Sequence, residues 1–456
     1  MVMGELPENI DLAVIGGGVG GYFAAIRGAE LGLSVVLVEK EKVGGHCLNY
    51  ACIPSKTLIH IADILYEIKN SSKFGINASG TIDPKAMYRW RMDVSKKLED
   101  GVSFLCRSNG VEIIKGTATF LSTNSVQLST GVNLNFKNAI IATGSEPIVL
   151  SDFEIDGKTV VDYKQALMLD YIPKSVVVIG AGYVSVELGN LYSKLGSEVH
   201  IIARSDVLSK FDRDAVNVIK KRLVKLGVTI HTGVNPVSHD GENVKLSDGS
   251  EIHADLVVVA VGLSPYTDGL GLENTDIKPD ERGFIKVDSK LRTVNSNIYA
   301  IGDVVGEPLL AHKAMRQGVI AAEIASGLDE SYDNVVVPAV IFSDPEIGIV
   351  GSVEEVPGIK VKKFPVTAIG RGIAFDETEG FVKMAYDSDN VIKGVEVVSP
   401  DANAVIAEAA LAIEMGATLE DVADTIHPHP TFSELIQEVA AAALGRPIHF
   451  FYGKAT

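Results

Sequence analysis

Hydrophobic and polar positions fall twice into the same order along this chain. An apolar run from Leu12 to Ile15 reads as a strand, glycines follow at Gly16, Gly18 and Gly21, apolar residues recur at helical spacing over roughly 22 to 31, and a second apolar run ends at Glu39. The pattern predicts strand, turn, helix, strand. It returns further on, where Val176 to Ile179 form the run, Gly180 and Gly182 follow, and Ser185 stands where a third small residue falls. A separate helix is predicted from Ile53, Leu58, Ile59, Ile61, Ala62 and Leu65, with Pro54 in its first turn. From about Val335 onward strands and helices alternate.

Glycine at these spacings has a physical use. Gly16 lets the chain turn tightly, Gly18 lets backbone approach a pyrophosphate, and Gly21 lets helix and strand pack closely, while the helix N-terminus turns its unpaired N–H groups toward phosphate. Glu39 then accepts hydrogen bonds from an adenosine ribose. In the second unit Ser185 is small enough for the same packing, but the next strand ends in Ala203 and Arg204 rather than in an acid. An arginine there pairs with the phosphate that distinguishes NADP, or is merely solvated, and both readings stand. Two such units predict two dinucleotides held face to face, FAD on one and NAD(H) or NADP(H) on the other.

Length and charge narrow the class. At about 150 residues per domain, 456 residues make about three domains, and 46% hydrophobic with 22% charged residues is ordinary for a soluble protein. A net charge of −18 argues against nucleic-acid partners, which are held through clustered Lys and Arg. No apolar run approaches the roughly 18 residues that cross a bilayer, and the N-terminus carries acids where a signal peptide is basic. The expected location is cytoplasmic, with no membrane partner. There, paired cysteines are a working redox couple or a metal site rather than a staple.

Two of the three cysteines lie in GGHCLNYACIPSK, Gly44 to Lys56; the third, Cys106, stands alone. On a regular helix residues five apart point about 140° from each other and lie roughly 7.5 Å apart along the axis, beyond disulfide reach. Cys47 and Cys52 can therefore bond only across irregular backbone. The helix predicted to start there would favour a thiolate at its positive end. A zinc site needs about four ligands; His46 and His60 are near, but there is no second cysteine pair, so no metal is predicted.

GGHCLNYACIPSK closely resembles the redox-active segment of the flavin disulfide reductases, and Gly20 to Arg27 resembles the dihydrolipoamide dehydrogenases among them. Ala142-Thr143-Gly144-Ser145 is similar to the family segment leaving the flavin domain, and Val257 to Gly262 to the strand ending the nicotinamide domain, with Leu263 where the family has Arg. The resemblance implies that Asp303 binds the flavin ribityl chain and that Leu309, Leu310, Ala311 and His312 lie beside the flavin ring. It puts Ala118 near the flavin's adenine and Val234 near the other adenine. In HPHPTFSE it makes His429, not His427, the acid–base and Glu434 the acid that orients it. In the family this histidine comes from the partner subunit, which implies a homodimer. Lys56 is implied to lie near the reactive flavin edge, paired with Glu187.

The implied fold class is α/β: two Rossmann-like dinucleotide-binding domains plus a C-terminal α+β dimerisation domain. The expected segments are 1–147 and 266–334 for FAD, 148–265 for NAD(P), and 335–456 for dimerisation. The implied reaction oxidises dihydrolipoamide, carried on the lipoyl domain of a 2-oxoacid dehydrogenase or glycine cleavage complex, through a Cys47–Cys52 disulfide and FAD to NAD(P)+. His46 replaces the family's usual Thr and Tyr50-Ala51 a Val-Gly-like pair; His46 is expected as a second titrating group beside Cys47. A mercuric ion reductase would carry a terminal cysteine pair, and this chain ends GRPIHFFYGKAT. A non-catalytic flavoprotein scaffold would have no use for the full set of Cys47, Cys52, His429 and Glu434.

Overall fold

The computed structural model describes residues 9–452. By its internal contacts the chain divides into two compact units, residues 1–172 with 261–333, and residues 173–260 with 334–456. Among the described residues no helix is long and apolar enough to cross a membrane.

In the first unit, strand Asn9–Ile15 lies parallel between Val35–Glu39 and Asn133–Ile141, with Glu112–Lys115 beyond the former and Ile298–Ala300 beside the latter. Every residue of Val35–Glu39 is buried, as a parallel strand covered on both faces requires. Two antiparallel strands, Ala118–Ser122 and Ser125–Leu128, extend the sheet. Helices Val19–Glu30 and Ala311–Ala325 cross it side by side at a pair of glycines, where a Cβ on Gly318 would stand 2.3 Å from the Gly20 carbonyl oxygen. Such close backbone approach is open only to glycine. The outgoing chain and the returning chain pair as two short antiparallel strands, Ser145–Pro147 and Leu263–Pro265.

The second unit repeats the theme. Strands Val228–Thr232, Glu198–Ala203, Ser175–Ile179 and Leu256–Val259 lie parallel in that order. Helix Tyr183–Leu195 follows Ser175–Ile179, and a three-stranded antiparallel meander spans Pro236–His239, Asn243–Leu246 and Glu251–His253. Residues from 339 onward form a five-stranded antiparallel sheet, on which helices Ala402–Glu414 and Glu434–Ala443 bury their apolar faces. Charged contacts join these two halves of the unit. Asp344, before a cis proline, takes Lys194 at 2.6 Å and Arg222 at 2.7 Å, while Lys383 meets Asp212 at 2.7 Å.

Candidate functional site

The first glycine turn is built as the spacing predicts. Gly16 has φ +103°, and a Cβ there would stand 2.4 Å from the Ala142 carbonyl oxygen; one on Gly21 would stand 1.8 Å from the Gly16 carbonyl oxygen. Gly18 differs. A Cβ on it would meet nothing within 4 Å, and it caps helix Val19–Glu30 with no side-chain hydrogen bond and no acid in the first turn. The helix thus presents bare N–H groups to open space, the chemistry an anion needs. Glu39, 9% exposed, accepts from the Gly17 N–H at 2.6 Å and the Glu41 N–H at 2.7 Å. Burial pushes its carboxyl up, and these two amides pull it back. Ala118 is buried at the start of its strand, just beyond Gly116, whose N–H donates to the Glu39 carbonyl.

The exit segment closes on the same region. The Thr143 hydroxyl donates to the Tyr266 carbonyl at 2.6 Å, Gly144 at φ +71° accepts from the Tyr266 N–H, and the Ser145 hydroxyl donates to Asp303 at 2.6 Å. Burial raises the Asp303 carboxyl, and the Ser145 hydroxyl opposes that. Gly262, at φ +135°, accepts from the Ile148 N–H. Leu309 and Leu310 are half-buried, Leu310 caps Ala311–Ala325, and His312 is exposed in its first turn.

The redox segment rests directly on this turn: the Gly44 N–H donates to the Gly17 carbonyl at 2.8 Å, and a Cβ on Gly45 would press on Gly18 Cα. Cys47 sits in the short helix Gly45–Asn49 and Cys52 opens helix Cys52–Asn70. Between them Tyr50 (φ −133°, ψ −15°) and Ala51 (φ −130°, ψ −90°) leave helical geometry, the irregular backbone the sulfur pair requires. Both cysteines carry thiols here, joined by a side-chain hydrogen bond. That bond and burial push the Cys47 thiol up, while Lys56, one turn into the longer helix, pulls it down. Cys52 opens its helix without a side-chain cap, where the positive end of the dipole favours a thiolate. Cys106 is wholly buried and pushed up to about 11, which makes it inert. Burial, with Lys164 adding to it, pulls His46 down to about 4, so it stays neutral near pH 7 and does not titrate beside Cys47 as expected.

In the second unit Gly180, at φ +127°, lies so close that a Cβ would stand 2.2 Å from the Ala260 carbonyl oxygen and 3.2 Å from Ser185 Oγ. Gly182, like Gly18, faces open space and caps helix Tyr183–Leu195 with neither side-chain cap nor first-turn acid. Ala203 is buried, Arg204 is exposed and Val234 is half-buried just past Val228–Thr232. Glu187, on the same helix, accepts from the Phe342 N–H at 3.1 Å. Seven residues on, Lys194 holds Asp344. Burial alone would raise Asp344, yet Lys194 and Arg222 hold it below the usual carboxylate range.

His429 and Glu434 meet at the start of helix Glu434–Ala443, with His429 Nδ1 2.8 Å from Glu434 Oε1. The other carboxylate oxygen accepts from the Thr431 N–H at 2.8 Å, so Nδ1 carries the proton and Nε2 is left to act as a base. The His429 side chain is 71% exposed. His427 has both ring nitrogens engaged, by the Thr425 carbonyl and by Glu408, and its side chain is only 3% exposed. Two groups escaped the sequence reading. Arg91 and Asn49 both hold the redox segment, and the one local signal was a charge at position 91 in the buried stripe of helix Pro84–Ser108.

Comparison with known proteins adds an independent finding. Residues 10–318 match the family described as pyridine nucleotide-disulphide oxidoreductase, and residues 337–440 match its dimerisation domain. The dihydrolipoyl dehydrogenase of Geobacillus stearothermophilus is 45% identical over 98% of this chain and 99% of its own length. Dihydrolipoyl dehydrogenase 2 of Haloarcula marismortui is 41% identical over 98% and 100%. Among solved structures, LpdA from Mycobacterium tuberculosis superposes with a TM-score of 0.89 at 26% identity, covering 95% of this chain and 99% of that one.

Proposed function

The chain belongs to the pyridine nucleotide-disulphide oxidoreductase family, and within it we propose that it acts as a dihydrolipoyl dehydrogenase whose working couple is Cys47 and Cys52. The observation that carries this reading is the thiol pair in hydrogen-bond contact across irregular backbone, resting on the first glycine turn. The family's cofactors are FAD and NAD(H), and the residues fit both: each unit has an uncapped helix N-terminus whose capping glycine, Gly18 or Gly182, leaves room beside it. FAD would be held by Gly16, Gly18, Gly21, Glu39, Thr143 and Asp303, and NAD(H) by Gly180, Gly182 and Ser185. When bound, FAD takes up the two electrons of the dithiol and delivers them to the nicotinamide.

The residues' own work is thiol–disulfide exchange. A thiolate of dihydrolipoamide attacks Cys47 Sγ, the bond to Cys52 breaks, and Cys52 departs as a thiolate at its helix N-terminus. The second substrate sulfur then attacks the mixed disulfide; lipoamide closes its ring and Cys47 leaves. Nε2 of His429 of the partner subunit takes the substrate's thiol proton, while Glu434 holds Nδ1–H and supports the imidazolium. The enzyme is a homodimer, in keeping with its dimerisation domain. Lys56 and Glu187 are assigned by resemblance to the charge pair at the flavin edge. The expected segments, the cytoplasmic location and docking to a lipoyl domain of a 2-oxoacid dehydrogenase or glycine cleavage complex complete the proposal.

Steady-state turnover tests it. Dihydrolipoamide with NAD+ is expected to turn over, and NADP+ as acceptor decides whether exposed Arg204 reads a ribose phosphate. If NADPH reduces glutathione disulfide or Hg²⁺ while dihydrolipoamide gives no turnover with either nucleotide, the substrate assignment is wrong.

A further inference from the structure

Arg91 heads the wholly buried side chains by size, at 1% exposed. It lies in the buried stripe of helix Pro84–Ser108, with Met87, Ser95, Val102 and Cys106, where an apolar residue would ordinarily sit. The phenols of Tyr88 and Tyr50 act on its charge. Burial disfavours its charged form, so the guanidinium depends on the contacts its nitrogens make. Its Nη2 donates to the Asn49 carbonyl at 2.8 Å, its Nη1 to the neighbouring Met92 Sδ at 2.6 Å, and its Nε has no partner.

Asn49 ends the short helix that carries Cys47, and its carbonyl is one of those a helix terminus leaves without an internal donor. The two irregular residues, Tyr50 and Ala51, come next, and then Cys52. The guanidinium therefore grips the chain immediately before the bend that brings the second sulfur back to the first. The Asn49 side chain secures the other end, donating to the Val43 and Gly45 carbonyls at 3.1 Å each. A charge-assisted donor is about twice as strong as a neutral one, which suits a carbonyl that must not move.

We propose that Arg91 is a positioning residue for the redox couple: by fixing the Asn49 carbonyl it keeps the two sulfurs within bonding distance after reduction and so favours the disulfide. The proposal rests on the reading of Cys47 and Cys52 as a cycling pair. An intramolecular disulfide forms in proportion to the effective concentration of one sulfur at the other, and that falls when the bend is released.

The test equilibrates the full-length holoenzyme with glutathione redox buffers, followed by rapid alkylation and mass mapping. In that exchange the Cys47–Cys52 bond breaks, two glutathione thiols give their protons to the cysteine sulfurs, and glutathione disulfide forms. In Arg91→Met the equilibrium constant for the protein disulfide is expected to fall about tenfold, about 30 mV. Arg91→Lys, which keeps the charge and one donor, is expected to fall about threefold. A merely structural role would lower the melting temperatures and leave both constants within twofold of wild type, which overturns the proposal. If Arg91→Met does not accumulate as folded protein, the Arg91→Lys constant decides alone. Failure of the wild-type cysteines to link in any buffer would instead overturn the redox reading itself, before any variant is measured.

Discussion

Glu396 lies on strand Ile392–Ser399, is 0% exposed, and faces Asp212 and Asp214. Burial, aided by the charges of Asp212 and Asp214 and opposed by Lys383, pushes its carboxyl from 4.5 up to about 8. Its folded pKa is above the unfolded one, so its contribution to stability is complete below about pH 4.5 and is lost as pH rises through about 8. At about 1.4 kcal/mol per pH unit the span amounts to about 5 kcal/mol at most, and relaxation around the site reduces it to about 2 to 3 kcal/mol. Glu396→Gln removes the titration and keeps the shape. Thermal melting of the holoenzyme from pH 5 to 8.5 should find the two proteins alike at the acid end and the variant higher by about 2 to 3 °C at the alkaline end. Other groups titrate alike in both proteins and cancel in the difference. Melting curves separated by a constant amount across that range would refute the reasoning, because a buried neutral carboxyl cannot then be what ionises.

Three further outcomes follow from the geometry. Gly18→Ala has an allowed extended backbone and open space, so the apoprotein should melt within about 0.5 kcal/mol of wild type while purified flavin content drops sharply; Gly21→Ala, 1.8 Å from a carbonyl oxygen, should fail to accumulate folded. Asp344→Asn removes the anion that Lys194 and Arg222 share and should cost about 3 kcal/mol by chemical denaturation, part of which Lys194→Met restores in the double variant. Glu434→Gln keeps a hydrogen bond to His429 but loses its charge, so kcat for dihydrolipoamide should fall about 10- to 100-fold with flavin content unchanged.

What the sequence disclosed was local chemistry. Glycines at 16, 18 and 21 dictate a turn whatever surrounds them, and strand Asn9–Ile15 with helix Val19–Glu30 follows from them within a few residues. The five-position spacing of the cysteines already required irregular backbone, and it is found at Tyr50 and Ala51. Long-range contacts were out of reach. Nothing near Arg91 announces that its partner is a carbonyl 42 positions earlier, and nothing near Asp344 points to Lys194 or Arg222. The expected titration of His46 failed for the same reason: the burial that pulls it to about 4 comes from the packed fold.

The central claim is that Cys47 and Cys52 alternate between a bond and two thiols as dihydrolipoamide is oxidised. Mass mapping of the alkylated holoenzyme before and after addition of dihydrolipoamide without nucleotide tests it directly. The account predicts a linked Cys47–Cys52 peptide before and two alkylated cysteines after, with Cys106 unmodified in both. Identical labelling of Cys47 and Cys52 in the two samples would contradict it.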